Sequence, residues 1–173
     1  KRYNYINLLQ GKDVAELGAM PEICAVPLSV AEADDMEYGN MIGPVLLFMQ
    51  HHAKKIIEDP SLTGRRYLRY YNRNTPEAKS RRILVRQEDL APQVNDQARL
   101  RASYKYTIEI VEAEEIVKAV REKRPLTLIL HKVGPGENSG GGICFKMLFG
   151  TDDSEMYYYN EHTIDRLNPG GLL

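Results

Sequence analysis

The sequence has little of several features that would assign a protein class at once. It contains no tryptophan, two cysteines among 173 residues and a formal net charge of −1. Its longest apolar run, Val45 to Met49, is far shorter than the roughly 18 residues that a membrane-spanning helix needs. The sequence therefore predicts a soluble protein with no membrane partner and no disulfide scaffold.

The two cysteines, Cys24 and Cys144, each have apolar neighbours in sequence and no Cys or His at zinc-ligand spacing. This pattern predicts buried free thiols and favours an intracellular, reducing compartment, with one long-range disulfide as the alternative. No cofactor is predicted. The chain begins at Lys1, not at methionine, which indicates a processed or trimmed product.

Apolar residues make up 43% of the chain and charged residues 27%, which is typical of a folded protein. At this length we expect residues 1–173 to form a single domain. Residues 1–28 show no clear period and are predicted to be irregular. Residues 168–173 are predicted to be a flexible tail.

Three helices are predicted, and two of them, over 44–59 and 112–124, are expected to cover the core. The capping-box pattern at Ser29–Glu32 predicts a helix start, and Gly43–Pro44 predicts a break that separates it from a second helix over 44–59. Acids early and bases late predict another helix over 112–124. The apolar stripe of the 44–59 helix comprises Val45, Leu46, Met49, Ala53, Ile56 and Ile57.

Alternation and turn residues predict the strands. We expect the strands 65–71 and 81–86 to form a hairpin with its turn at Asn74–Pro76. Near the other end of the chain, a short helix is predicted to end at Leu167. The glycine-rich loop 134–142 is predicted to be a flexible hairpin tip, because it lacks the Gly-Lys-Ser/Thr ending of a phosphate loop. Further strands are predicted at 103–111, 126–133, 143–149 and 154–160. The fold class is therefore α+β, with one mixed or mostly antiparallel sheet packed against two or three helices, those at 44–59 and 112–124 lying on one side.

Charge is strongly segregated along the chain. No lysine or arginine occurs between Asp13 and Ala53, where seven acids occur, whereas residues 65–86 contain seven arginines, one lysine and the single acid Glu77. Arginine binds phosphate in a bidentate manner and stacks on bases, and tyrosine also stacks on bases. The basic segment therefore predicts binding of nucleic acid, with RNA favoured, of a ribonucleoprotein or of another polyanion, without catalysis. The predicted contact residues are Arg65, Arg66, Tyr67, Arg69, Tyr70, Arg73, Arg81, Arg82, Arg86, Arg101 and Lys105.

Three other interpretations of the sequence remain, two of the basic segment and one of residues outside it. The basic segment can pair with the protein's own acidic N-terminal third, or with an acidic protein surface in an interaction or assembly subunit. A metal-dependent nuclease would draw on the histidines His51 and His52, Glu88–Asp89, Glu109 and a lysine, Lys118 or Lys123, but their spacing matches no nuclease motif. His52 lies on the apolar side of its helix and is predicted to be a core histidine.

Overall fold

The computed structural model describes residues 2–11, 14–31, 35–73, 75–91, 94–134 and 141–164. They form an α+β fold with a five-stranded mixed sheet and a separate two-stranded sheet. Short 3-10 helices occur at Val14–Ala19, Pro60–Leu62 and Gln87–Asp89. The other elements, in chain order, are β1 (Tyr3–Leu9), β2 (Glu22–Val30), α1 (Asp35–Glu58), α2 (Arg66–Asn72), α3 (Thr75–Ala78), β3 (Arg82–Val85), α4 (Gln97–Ser103), β4 (Ile108–Ile110), α5 (Ala113–Arg121), β5 (Thr127–Val133), β6 (Gly142–Gly150) and β7 (Met156–Ile164).

The larger sheet has the strand order β4-β3-β5-β6-β7. β3 is parallel to both β4 and β5, whereas β6 is antiparallel to β5 and to β7. Parallel neighbours need a crossover connection, and α4 and α5 lie in the two connections between these strands. The predicted mixed sheet is confirmed, as are the strands predicted at 81–86, 126–133 and 143–149.

Successive residues of each strand point to opposite faces of this sheet, so the sheet separates two cores. Leu84, Ile129 and Phe149 pack with residues of α1, α2 and α5. On the other face, Ile83 and Leu128 pack with residues of α3 and α4. The helices predicted at 44–59 and 112–124 therefore do share one side of the sheet.

α5 matches its prediction closely. Glu114 and Glu115 lie in its first turn and Lys118 and Arg121 in its last turn, where each sign of charge is favoured by the helix dipole. Ile116 faces the core together with Ala119. Charge order and apolar spacing indicate the same helix, which explains why its bounds were predictable.

The prediction that residues 1–28 are irregular is wrong. β1 and β2 pair antiparallel over most of this range. Proline has no amide hydrogen to donate to a neighbouring strand, so it argues against a central strand. Pro27 is tolerated because each strand of a two-stranded sheet has a free edge and because Pro27 lies where the pairing with β1 is irregular. The Ser29 hydroxyl does not cap a helix, because it accepts a hydrogen bond from Asn4 Nδ2 at 3.0 Å across the strand pair.

The predicted break at Gly43–Pro44 is also wrong, because α1 is continuous from residue 35 to residue 58. Tertiary packing of the helix outweighs the loss of one internal hydrogen bond. The buried side of α1 is shifted from the predicted stripe: Phe48 and His52 are fully buried, whereas Leu46 is 49% and Ile57 is 82% exposed. Val45 and Met49 are buried as predicted, and so is His52.

The predicted 65–71 strand is wrong, and with it the hairpin to residues 81–86. Residues 66–72 form α2, and residues 75–78 form α3. Aromatic residues favour strands on average, but Tyr67 and Tyr71 are four residues apart and both face the core, which is helical spacing. Packing against α1 therefore overrides the strand propensity of this segment.

Two further strand predictions need new bounds. The strand predicted at 103–111 is reduced to β4, because Ser103 ends α4 and residues 104–107 connect that helix to the strand. The Asp96 carboxylate accepts hydrogen bonds from the amides of Ala98 and Arg99 and caps α4. The strand predicted at 154–160 is confirmed but continues to Ile164, where a helix was expected. The tip of the glycine-rich loop, the end of that helix at Leu167 and the tail 168–173 lie outside the described residues.

Cys24 and Cys144 are both buried free thiols, as predicted. Burial raises the pKa of Cys24 to about 12, so this thiol stays protonated. In the described parts of the chain, no helix has the length and apolarity needed to span a membrane.

Candidate nucleic-acid interface

α2 places its arginines and its tyrosines on different sides. Arg66 and Arg69, with the C-cap residue Arg73, follow the spacing of one helix face and are all exposed. Tyr67 and Tyr71 lie on the opposite side and are 3% and 0% exposed. We call Arg66, Arg69 and Arg73 the arginine face.

The buried side of α2 holds this helix in a fixed position. The Tyr67 hydroxyl donates a hydrogen bond of 2.6 Å to the carbonyl of Ala25 in β2. At the end of α2, Asn72 makes two hydrogen bonds to the backbone of Tyr159 in β7, of 3.0 Å and 2.7 Å. α2 is therefore attached to both sheets, and the arginine face has a rigid base.

A groove of about 820 Å³ runs beside the arginine face. Its other wall is formed by residues 59–64, whose conformation is stabilised by a side-chain hydrogen bond and by a glycine. The Asp59 carboxylate accepts a hydrogen bond from the Ser61 amide at 3.0 Å, and Gly64 has a φ of +60°, a conformation that favours glycine. The arginine side chains therefore line an open channel between two ordered segments.

The arginine face carries uncompensated positive charge. Among the described residues, none of Arg66, Arg69 and Arg73 forms a salt bridge with an acid. The adjacent Arg65 does, with its Nη2 atom 2.6 Å from Glu161 Oε2. Three adjacent guanidinium groups that face solvent without a salt bridge, in a groove whose other wall contains the single acid Asp59, form a net positive surface suited to anions.

Other predicted contact residues are neutralised within the protein. Arg81 contacts Asp152 at 2.9 Å and Asp153 at 3.0 Å. Arg86 contacts both Glu88 and Asp89, and Arg82 lies 3.6 Å from Glu109. The internal pairing expected as an alternative therefore exists for these arginines, and the described acids that pair with them lie within residues 88–153.

The predicted tyrosines also differ in accessibility. Tyr67 is buried and does not present its ring to a ligand. Tyr70 is half-buried and lines the groove, with Lys55 Nζ 5.4 Å from its ring centroid. Lys55 is itself neutralised by Glu155 at 2.7 Å. Tyr70 is thus the predicted tyrosine that remains available beside the arginine face.

Arg101 and Lys105 are exposed, but they do not join the arginine face. Arg101 lies on α4, whose Leu100 packs in the second core, and Lys105 follows the same helix. α2 packs in the first core, on the other face of the sheet. The structure therefore separates these two residues from the groove.

A second groove of about 360 Å³ shares Arg65 with the first and was not predicted. Tyr5 and Asn7 of β1 line it, together with Glu22 and Glu161. Burial raises the pKa of Glu161, but hydrogen bonds from Tyr159 and Arg65 outweigh this effect and leave the pKa below its usual value. The alternation of Tyr3, Tyr5 and Asn7 in the sequence was the signal that could have revealed this surface.

The residues considered for a nuclease site are not brought together. His51 lies 3.1 Å from Glu155, Glu88 and Asp89 contact Arg86, and Glu109 lies beside Arg82. The parts of the chain that the structure describes contain no group of three or more His, Cys, Asp or Glu side chains able to hold a metal ion.

Comparison of the chain with protein-family models, with curated proteins and with solved structures finds no match.

Proposed function

We propose that this protein binds single-stranded RNA, without catalysis, and that the arginine face provides the contacts to phosphate. The observation that carries the proposal is the row of three exposed guanidinium groups on α2 with no acidic partner among the described residues. A guanidinium group makes bidentate hydrogen bonds to phosphate oxygens, and the planar group also stacks on bases.

The dimensions of α2 agree with a strand of nucleic acid. Arg66 and Arg73 are seven residues apart, which corresponds to about 10 Å along a helix. A stacked strand advances about 3.4 Å per phosphate. The arginine face can therefore contact about three consecutive phosphates, while Tyr70 lies beside the same groove as an aromatic surface for a base.

The test is fluorescence anisotropy with a short labelled single-stranded RNA over a series of salt concentrations. Each neutralised phosphate of a single strand contributes about 0.7 to the log–log slope, so three contacts give a slope of about −2. Replacing all three residues of the arginine face with glutamine should abolish most of this salt dependence and weaken binding for every RNA sequence.

The matched control removes three exposed positive charges elsewhere, by replacing Arg101, Lys105 and Lys118 with glutamine. It has the same net charge as the first variant, so a general effect of charge would appear equally in both. We expect the control to bind RNA nearly as well as the original protein. If the original protein does not bind at low salt, RNA is the wrong ligand and an acidic protein surface becomes the leading candidate. If the control loses binding instead, the site includes residues of α4 or α5 and not the arginine face.

A further inference from the structure

The second groove differs from the first in the chemistry of its walls. The first groove is lined by four arginines, including Arg65, and by one acid, Asp59. The second has the exposed ring of Tyr5 and the side chains of Asn7, Glu22 and Glu161. Arg65 lines both, so the two grooves are adjacent at this residue.

Tyr5 presents an aromatic surface that is held in place. Tyr5 is 44% exposed, and its ring packs edge-on against Phe145 of β6, with 6.1 Å between centroids. Phe145 is buried and also contacts Tyr3 edge-on at 5.3 Å. One side of the Tyr5 ring is therefore supported by the core while much of the ring faces the groove, as a stacking surface requires.

The acids of the second groove select against phosphate and in favour of hydrogen-bond donors. Glu161 Oε2 accepts from both Arg65 at 2.6 Å and the Tyr159 hydroxyl at 2.7 Å. Its Oε1 atom has no hydrogen bond among the described residues, and Glu22 is exposed at the same groove. Carboxylate oxygens repel phosphate but accept hydrogen bonds from the amino groups of bases, as acidic residues do with cytosine N4.

From this arrangement we infer that the second groove binds a nucleobase, stacked on Tyr5, and that it prefers bases with an exocyclic amino group over uracil. The base would belong to the strand whose phosphates contact the arginine face, so this placement depends on the proposed function. Asn7 supplies both an amide donor and an amide acceptor beside the same ring, as recognition of a base edge requires.

The experiment compares short oligomers of adenosine, cytidine and uridine by fluorescence anisotropy. We expect the original protein to bind the adenosine and cytidine oligomers more tightly than the uridine oligomer. Tyr5→Ala should weaken binding of the adenosine and cytidine oligomers by about 5- to 150-fold, the range for one lost stack, with an unchanged salt slope. Tyr5→Phe keeps the ring and should retain the affinity.

A second variant tests the hydrogen-bonding part of the inference. Glu22→Gln should reduce the preference for adenosine and cytidine over uridine, because an amide is a weaker acceptor than a carboxylate. Circular dichroism of each variant shows whether the fold is retained, which we expect because Tyr5 and Glu22 are both exposed. Equal affinity of Tyr5→Ala and the original protein for all three oligomers would overturn the base site while leaving the arginine face as the RNA site.

A probe without phosphate separates this inference from the proposed function. Saturation-transfer NMR with free adenosine and cytidine should give a signal in the original protein that is lost in Tyr5→Ala and kept in the variant that lacks the arginine face. If no transfer is seen with either nucleoside, the second groove is not a base site. If transfer is seen but RNA does not bind, the base site stands and the phosphate contacts do not.

Discussion

Arg81 and Arg69 belong to the same basic segment but have opposite environments. The Arg81 side chain is 12% exposed, contacts two aspartates and lies 4.4 Å from the ring centroid of Tyr157. Asp152 also accepts a hydrogen bond from the Leu126 amide at 3.1 Å, so the ion pair between Arg81 and Asp152 stabilises the turn before β5. Arg69 is exposed and makes no salt bridge with a described residue.

We therefore predict that Arg81→Gln lowers the free energy of unfolding by about 1–3 kcal/mol, because it leaves two partly buried carboxylates without their partner. The partners are about 30% exposed, so solvent screening keeps the loss in the lower half of that range. Arg69→Gln should change it by less than about 0.5 kcal/mol, as is usual for a surface residue. Urea unfolding measures both, and equal losses in the two variants would contradict this distinction.

Whether an arginine of the basic segment is free was not predictable from sequence. The acids that neutralise Arg81 are about 70 residues away in the chain, and they meet it only because α3 and the β6–β7 turn converge. Local spacing does explain Arg86, whose partner Asp89 is three residues on. The composition of the segment predicted a basic surface, but only tertiary structure shows that Arg66, Arg69 and Arg73 form it.

At the scale of the element, α2 determines which side chains of the segment reach solvent. As a strand it would alternate Tyr67 and Arg66 across two faces, but as a helix it buries Tyr67 and leaves the arginines outside. β1 and β2 were missed for a related reason, since their pairing depends on contacts between distant residues. α5, β5 and β6 were predicted correctly because, within each segment, the spacing of apolar residues and the residues at its two ends indicate the same element.

For α2 we predict that Tyr67→Phe weakens the fold but not the binding of RNA. The variant removes the hydrogen bond from the Tyr67 hydroxyl to the Ala25 carbonyl, which should cost about 1 kcal/mol in the free energy of unfolding. The ring remains in place, so the arginine face keeps its position. Urea unfolding and RNA anisotropy check the two parts separately.

Tyr70→Phe is the matched control for this prediction. Among the described residues, the Tyr70 hydroxyl accepts a single long hydrogen bond, of 3.4 Å from Lys55, so its loss should alter stability by less than the loss in Tyr67→Phe. A drop in RNA affinity for Tyr67→Phe without a change in stability would mean that Tyr67 contacts the ligand directly, which its burial argues against.

For the whole molecule, the first core contains two histidines that must stay neutral. His131 is buried in β5, where its Nε2 atom makes a 3.0 Å hydrogen bond with the carbonyl of Pro27. His52 stacks on Phe48, and its Nδ1 atom lies 3.2 Å from the Tyr71 hydroxyl. Burial lowers the pKa of each imidazole to about 4. These residues join β2, α1, α2 and β5, so their protonation would affect the first core as a unit.

We predict that this protein loses stability as the pH falls from about 6.5 toward 4. Between these values the unfolded chain binds a proton at each histidine and the folded protein does not, so protonation favours unfolding. At pH 5 the loss should be about 2 kcal/mol for each histidine relative to pH 8. Urea unfolding at pH 8, 6 and 5 measures it. In His131→Gln, which cannot titrate but keeps a hydrogen-bond donor for the carbonyl of Pro27, the pH dependence should be about half as large, and a variant with the full dependence of the original protein would show that His131 is not responsible.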